Sequence, residues 1–259
     1  MTDLSPFTRS TTAELLPPRL SAKYPYARGY FLSHPPEDTE IICCQDLLVP
    51  ETLTILLERF EANFPSCDRR AIVSSWSMHY FNAFTIGAAI ATLEAEQILP
   101  LKLGDVRLCL EQKTARPYAF VVSRSDEARS GSIALAEILK LHAEPLIEAL
   151  AVTGKLSRKL LWSNACGYLG WIVDEIIASG VQETASEWAR LIRAGTWPDG
   201  WQNPMHNLMR SDISDDGLIC TRRRICCLGY KLPLTGSCGA ICPIPIGHHH
   251  VRDTRELSS

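Results

Sequence analysis

Apolar residues recur along this chain with two periods, and most of it follows the helical one. In "PETLTILLERFEANF", Leu53, Leu56, Leu57 and Phe60 share one helix face, with Pro50 placed where a first turn tolerates it. From Ala71 to Leu93 the chain carries no formal charge. A run of that length can cross a bilayer. Ser74, Ser75, Ser77, His79, Asn82, Thr85 and Thr92 interrupt it, however, and the expectation is a helix buried in a protein core, with His79 a core histidine. The period then drops to two: Val106, Leu108 and Leu110 alternate with polar residues, and "QKTARP" turns the chain into "YAFVV". This predicts a hairpin near residues 105–122 with one buried face. The helical period returns in "SIALAEILKLHAEPLIEALAV", which Pro145 is expected to kink or divide. Leu161, Ala165, Tyr168, Ile172 and Ile176 form a stripe along the next helix, for which Ser157 is a candidate N-cap. In "TASEWARLIRAG", Thr184 and Glu187 read as a capping box and Gly195 as the stop.

These elements predict a mainly α protein with a small β-hairpin (α+β), ending in a cysteine-rich tail. The predicted organisation has four parts. Residues 1–65 are a Pro-rich segment, irregular over its first fifty residues, followed by the first helix and packed on the main domain. Residues 66–216 form a helical domain, 217–247 a cysteine-bearing segment and 248–259 a tail that includes His248, His249 and His250.

Charge narrows the partners. Lys and Arg total 26 against 29 Asp and Glu, a net charge of −3, so there is no basic excess for nucleic acid. The first twenty residues lack a basic stretch followed by an apolar one, so the expected location is cytoplasmic, where ten cysteines serve as thiols or metal ligands rather than disulfides.

Cys226, Cys227, Cys238 and Cys242 stand in the spacing C-C-x10-C-x3-C. Four thiolates can hold a tetrahedral zinc or an iron–sulfur cluster. Adjacent cysteines on an extended strand point to opposite faces, so one small ion requires the chain to bend there, whereas a two-iron rhomb offers separated attachment points. Gly229, Pro233 and Gly236 suit a loop that brings Cys238 back to the pair. The spacing leans to iron–sulfur and leaves zinc open. Cys43 and Cys44 have no nearby partner pair and are expected to be buried as small apolar residues. Cys67, Cys109 and Cys166 are expected to be inert thiols, with Cys220 a spare close to the cluster.

The tail "DGLICTRRRICCLGYKLPLTGSCGAIC" and the helix "AVTGKLSRKLLWSNACGYLGWIVDEI" resemble two hallmarks of the FhuF-like ferric siderophore reductases. The likeness is strongest over residues 152–242, and it departs at the last pair, C-x3-C in place of C-x2-C. The resemblance implies a 2Fe–2S cluster held by Cys226, Cys227, Cys238 and Cys242, which reduces ferric iron in a siderophore of hydroxamate type and so releases ferrous iron. It also implies an electron donor such as a ferredoxin, and allows a peripheral place on the inner membrane. No catalytic acid, base or nucleophile is expected. Trp162, Ser163 and Asn164 are candidates to line the chelate site, and Arg222, Arg223 and Arg224 to attract the donor. The rival readings are a zinc-stabilised siderophore-binding accessory protein without redox activity and a relative of siderophore-synthesis ligases.

Overall fold

The computed structural model describes residues 13–123, 131–181, 183–213, 217, 219–233 and 241–244. In chain order the elements are α1 (Pro18–Lys23), β1 (Phe31–Leu32), β2 (Glu40–Cys43), α2 (Pro50–Glu61), α3 (Arg69–Leu93), β3 (Arg107–Leu110), β4 (Pro117–Val121) and α4 (Gly131–Ala136). A π-helical stretch (Glu137–Ala143), α5 (Glu144–Gly154), α6 (Arg158–Ala178), α7 (Glu183–Arg193), β5 (Met209–Ile213) and β6 (Ile219–Arg223) complete it. The molecule is mainly helical with small sheets, the class the hydrophobic periods predict.

The uncharged stretch is α3, and it is the central helix of the core. Asp68 caps it, its carboxylate accepting the Arg70 N–H at 2.9 Å. Trp76, Tyr80, Phe81 and Phe84 are fully buried along it. Two of its polar residues are absorbed locally: Thr85 donates to the Phe81 carbonyl at 2.7 Å and Ser77 to that of Ser74 at 2.7 Å. Buried hydroxyls satisfied in this way cost little, which is how so many fit on one core helix. Among the described residues no helix is long and apolar enough to cross a membrane. The stripe on α6 is buried as expected at Leu161, Ala165, Ile172 and Ile176, and α6 lies along α3 in the most extensive packing between any two elements.

The hairpin is β3–β4, antiparallel with Leu108 opposite Phe120 and Cys109 opposite Ala119. It sits inside a four-stranded sheet of order β1-β4-β3-β2. Both outer strands come from the Pro-rich first fifty residues, which corrects the expectation that these are irregular: β2 pairs antiparallel with β3 and β1 parallel with β4. The sheet packs on α3 through Phe120, whose ring meets Tyr80 edge-on at 4.9 Å. One contiguous core runs from Leu15 and Tyr24 to Leu232, so the N-terminal segment shares it.

Three local expectations are refined. The division expected at Pro145 takes the form of a change of helical type: the π-helical stretch ends at Ala143 and Pro145 falls in the first turn of α5, where a missing N–H is tolerated. Ser157 does occupy the N-cap of α6, but its hydroxyl makes no capping bond. Thr184 is not a cap, because α7 already begins at Glu183, and the capping position, 182, lies outside the described residues. The β5–β6 hairpin, with Met209 opposite Arg223 and Asp212 opposite Cys220, has no counterpart in the sequence pattern.

Candidate functional site

β6 delivers the chain to the cysteines. After Arg223 the ladder is extended by Arg224, whose N–H donates to the Leu208 carbonyl at 2.8 Å. The next residues then leave the sheet and lie against the ends of two core helices. From α3, the Ser74 hydroxyl donates to the Cys227 carbonyl at 2.6 Å, and from α6 Ser163 reaches the Ile225 carbonyl at 3.5 Å. The chain bends here, which is the condition under which adjacent cysteines could share one small ion. Leu228 adopts the left-handed conformation (φ 64°), and its N–H points back to the Cys226 sulfur at 3.3 Å. A 3-10 turn at Gly229–Lys231 follows, and Lys231 pairs with Asp68, the residue that caps α3.

The last cysteine returns to the same place. Arg222 holds the Cys242 carbonyl at 3.1 Å, and its guanidinium also meets Asp212 at 3.3 Å. Ile241 lies on α6 at Gly167: a Cβ on that glycine would come within 3.0 Å of the Ile241 Cδ1 and 3.3 Å of the Arg223 Cδ. A bare backbone at 167 therefore lets strand and tail share one spot on the helix. Cys227 and Cys242 are buried and Cys226 half-buried. The Cys226 thiol is held protonated by its hydrogen bond with Cys227, by burial, and by the charges Cys227 and Cys242 would carry. Thiols that disfavour one another's ionisation are a donor set suited to a shared cation, which reverses that penalty. Cys238 lies outside the described residues, and among those described no three His, Cys, Asp or Glu side chains converge as a metal site. The donor chemistry at Cys226, Cys227 and Cys242 fits a thiolate-held iron–sulfur group, with Cys238 the remaining donor in the sequence.

Trp162, Ser163 and Asn164 do not line a common surface. Successive helical residues are turned about 100° apart, and the three side chains go separate ways. Trp162 is buried and meets Trp201 edge-on at 6.4 Å, beside a cage in which Lys140 lies 4.5 Å above Trp197 and 4.9 Å above Trp201. Ser163 faces the cysteine segment. Asn164, also buried, points to α3: its amide donates to the Ser77 hydroxyl at 2.9 Å and the Ser74 hydroxyl at 3.1 Å. Nor do the three arginines form one docking patch. Arg224 is exposed and Arg222 half-buried, whereas Arg223 is fully buried, with its Nη1 donating to Asn164 Oδ1 at 2.8 Å. Burial removes Arg223 from any surface a donor protein would touch.

Ser74, Ser77 and Gly167 are site residues that the sequence pattern did not single out. The serines read as interruptions of an apolar helix; a cluster of three hydroxyls in four residues of an uncharged run was the available signal. The other thiols stand apart. Cys44, Cys109 and Cys166 are buried, and burial pushes Cys109 and Cys166 up to about 12, so they are unreactive fillers. Cys220 faces Asp212 across the β5–β6 ladder.

A family model described as "Ferric iron reductase FhuF-like transporter" matches residues 74–216, more than half of the chain. The chain belongs to the FhuF-like family. The match begins at Ser74 and takes in Asn164 and Gly167, the helix positions that hold the cysteine segment. It ends ahead of Arg222 and the four cysteines, so the likeness of the tail rests on its own spacing. The ferric siderophore reductase of Escherichia coli (strain K12), a curated protein, is 25% identical over 177 residues, covering 66% of this chain and 65% of that protein. The chain thus matches just under two thirds of the length of that relative.

Proposed function

We propose that the protein is a ferric siderophore reductase that releases iron by one-electron reduction, with a 2Fe–2S cluster on Cys226, Cys227, Cys238 and Cys242. The observation that carries this reading is the return of Cys242 to the Cys226–Cys227 bend, with serines of two core helices holding the segment, in a chain of the FhuF-like family. When bound, such a cluster supplies electrons singly. The substrate, ferric iron in an oxygen chelate of hydroxamate type, loses one unit of charge on reduction, and the chelate's electrostatic hold weakens accordingly. The electron transfer itself breaks no bond and moves no proton, and the chelate's Fe–O bonds open afterwards by ligand exchange, so the chain needs no acid, base or nucleophile for the transfer.

The residues contribute position. Ser74 and Ser163 fix the carbonyls on either side of Cys226, and the left-handed turn at Leu228 aims an N–H at its sulfur, a contact that favours electron-rich sulfur. Exposed Arg224 and half-buried Arg222 place positive charge beside the segment, where an acidic one-electron donor of ferredoxin type docks.

Anaerobic purification followed by metal and acid-labile sulfide analysis tests the reading. Two irons and two sulfides per chain, a paramagnetic signal after dithionite, and release of ferrous iron from a ferric trihydroxamate in the presence of a ferrous trap are expected. Zinc without sulfide overturns the reading in favour of a structural metal.

A further inference from the structure

Arg223 is the only lysine or arginine among the described residues that is fully buried. A guanidinium cannot shed its proton to escape burial, so it stays charged where it sits. It lies three residues ahead of Cys226, and its methylenes share the bare patch at Gly167 with Ile241, the neighbour of Cys242. Its position is fixed by a frame that also holds a cysteine. The Asn164 amide N–H groups go to Ser77 at 2.9 Å and Ser74 at 3.1 Å, which leaves the Asn164 oxygen for Arg223 at 2.8 Å. The same Ser74 hydroxyl that accepts from Asn164 donates to the Cys227 carbonyl at 2.6 Å. Guanidinium and cysteine segment are thus tied to a single buried asparagine through one serine.

We propose that Arg223, clamped by Asn164, sets the reduction potential of the group the cysteines hold. This rests on the iron–sulfur reading above. On reduction one electron arrives from an external one-electron donor, dithionite in the assay, and one negative charge is added with no bond made or broken. A fixed cation in a weakly screened interior stabilises that added charge and raises the potential. Arg223 acts through the field and the frame. It is a positioning and tuning residue that touches neither the chelate nor the electron donor.

The test is a redox titration of the full-length protein, purified anaerobically, followed by absorbance and paramagnetic resonance. Asn164→Asp puts a carboxylate of nearly the same shape on the guanidinium and offsets its charge. Arg223→Gln removes the charge, and Arg223→Lys keeps it. At a fixed solution potential, Asn164→Asp and Arg223→Gln are expected to lower the reduced-to-oxidised ratio at least tenfold, about 59 mV for one electron, with iron and sulfide retained. Arg223→Lys is expected to stay within threefold of the parent. Wild-type ratios in both charge-changing variants overturn the proposal. So does an equal fall in Arg223→Lys, because that shows disturbed packing rather than charge. If Arg223→Gln does not fold or loads no iron, the Asn164→Asp and Arg223→Lys pair decides by the same criteria. A parent protein with no iron and no sulfide removes the iron–sulfur reading as well, whereas a loaded parent with unmoved variants removes only this proposal.

Discussion

Two cysteine doublets lie in this chain, and they meet opposite surroundings. Cys43–Cys44 stands where β2 runs into the core. Cys44 is fully buried against Tyr80, burial drives its thiol far above the ordinary range, and the half-buried Cys43 donates weakly to the Gly104 carbonyl at 3.7 Å. Cys226–Cys227 follows β6 out of its sheet and is held by carbonyl contacts from Ser74 and Ser163, with Cys242 near enough for its charge to act on Cys226. The first doublet is packing for its neighbours, and the second is where we propose the ligand is held. A doubled cysteine therefore says little by itself. What separates the two is whether the backbone around the pair is bound by apolar packing or by directed polar contacts that leave the sulfurs addressed to one another.

The sharpest way to break that contrast is to delete sulfurs one doublet at a time. Cys226→Ser and Cys227→Ser are expected to lose nearly all bound iron and sulfide, while Cys43→Ser and Cys44→Ser keep the parent's content, read by metal and sulfide analysis. Iron loss on changing Cys44 would erase the distinction.

Acid probes the packing around the first doublet. His142 is fully buried, stacked on Phe84 at 3.6 Å between ring centres, and burial lowers its pKa to about 3. Its Nδ1 faces the Leu101 carbonyl at 3.0 Å, so it carries the proton there, and Nε2 accepts from the Tyr80 hydroxyl at 2.6 Å. An unfolded histidine gains a proton near pH 6.5 and the folded one does not, so stability is complete above 6.5 and falls as the pH drops towards 3. Between pH 7 and pH 5 the loss from this residue is expected to be about 2 kcal/mol, measured by denaturant unfolding. His142→Gln is expected to flatten that part of the slope.

Next in size, Cys44→Ser puts a smaller, more polar group into a fully buried site beside the Tyr80 hydroxyl, at a cost of about 1 kcal/mol, seen as a lower unfolding midpoint with metal content unchanged. The smallest effect sharpens the second doublet. In Gly167→Ala the helix gains about 1 kcal/mol of propensity and gives much of it back against the Ile241 side chain 3.0 Å away. Global stability is expected to move by less than about 1 kcal/mol, while iron leaves the protein faster under a chelator.

The elements with sustained periods were legible in the sequence: α2, α3, α6 and the β3–β4 hairpin fall where their apolar spacing puts them. Strands β1 and β2 were not, because two and four residues are too few to show an alternation, and their pairing depends on a hairpin far along the chain. β5 alternates little, being mostly exposed, and so gave no signal. At the site, spacing alone singled out the cysteines. The frame around them was hidden, since Ser74, Asn164 and Arg223 are remote in sequence and meet only because α3 packs on α6. Asn164 was singled out for another reason, as part of a run with Trp162 and Ser163 that the helix itself splays apart.

Leu228 is an unfavourable choice for its own backbone: a branched side chain at positive φ costs about 1–2 kcal/mol, which glycine would avoid. Its side chain packs partly into the core, a contact that offsets part of that cost. Glycine at 228 would relieve that backbone cost but lose the core contact that seats the turn after Cys227, and any group the thiols hold is expected to leave more readily.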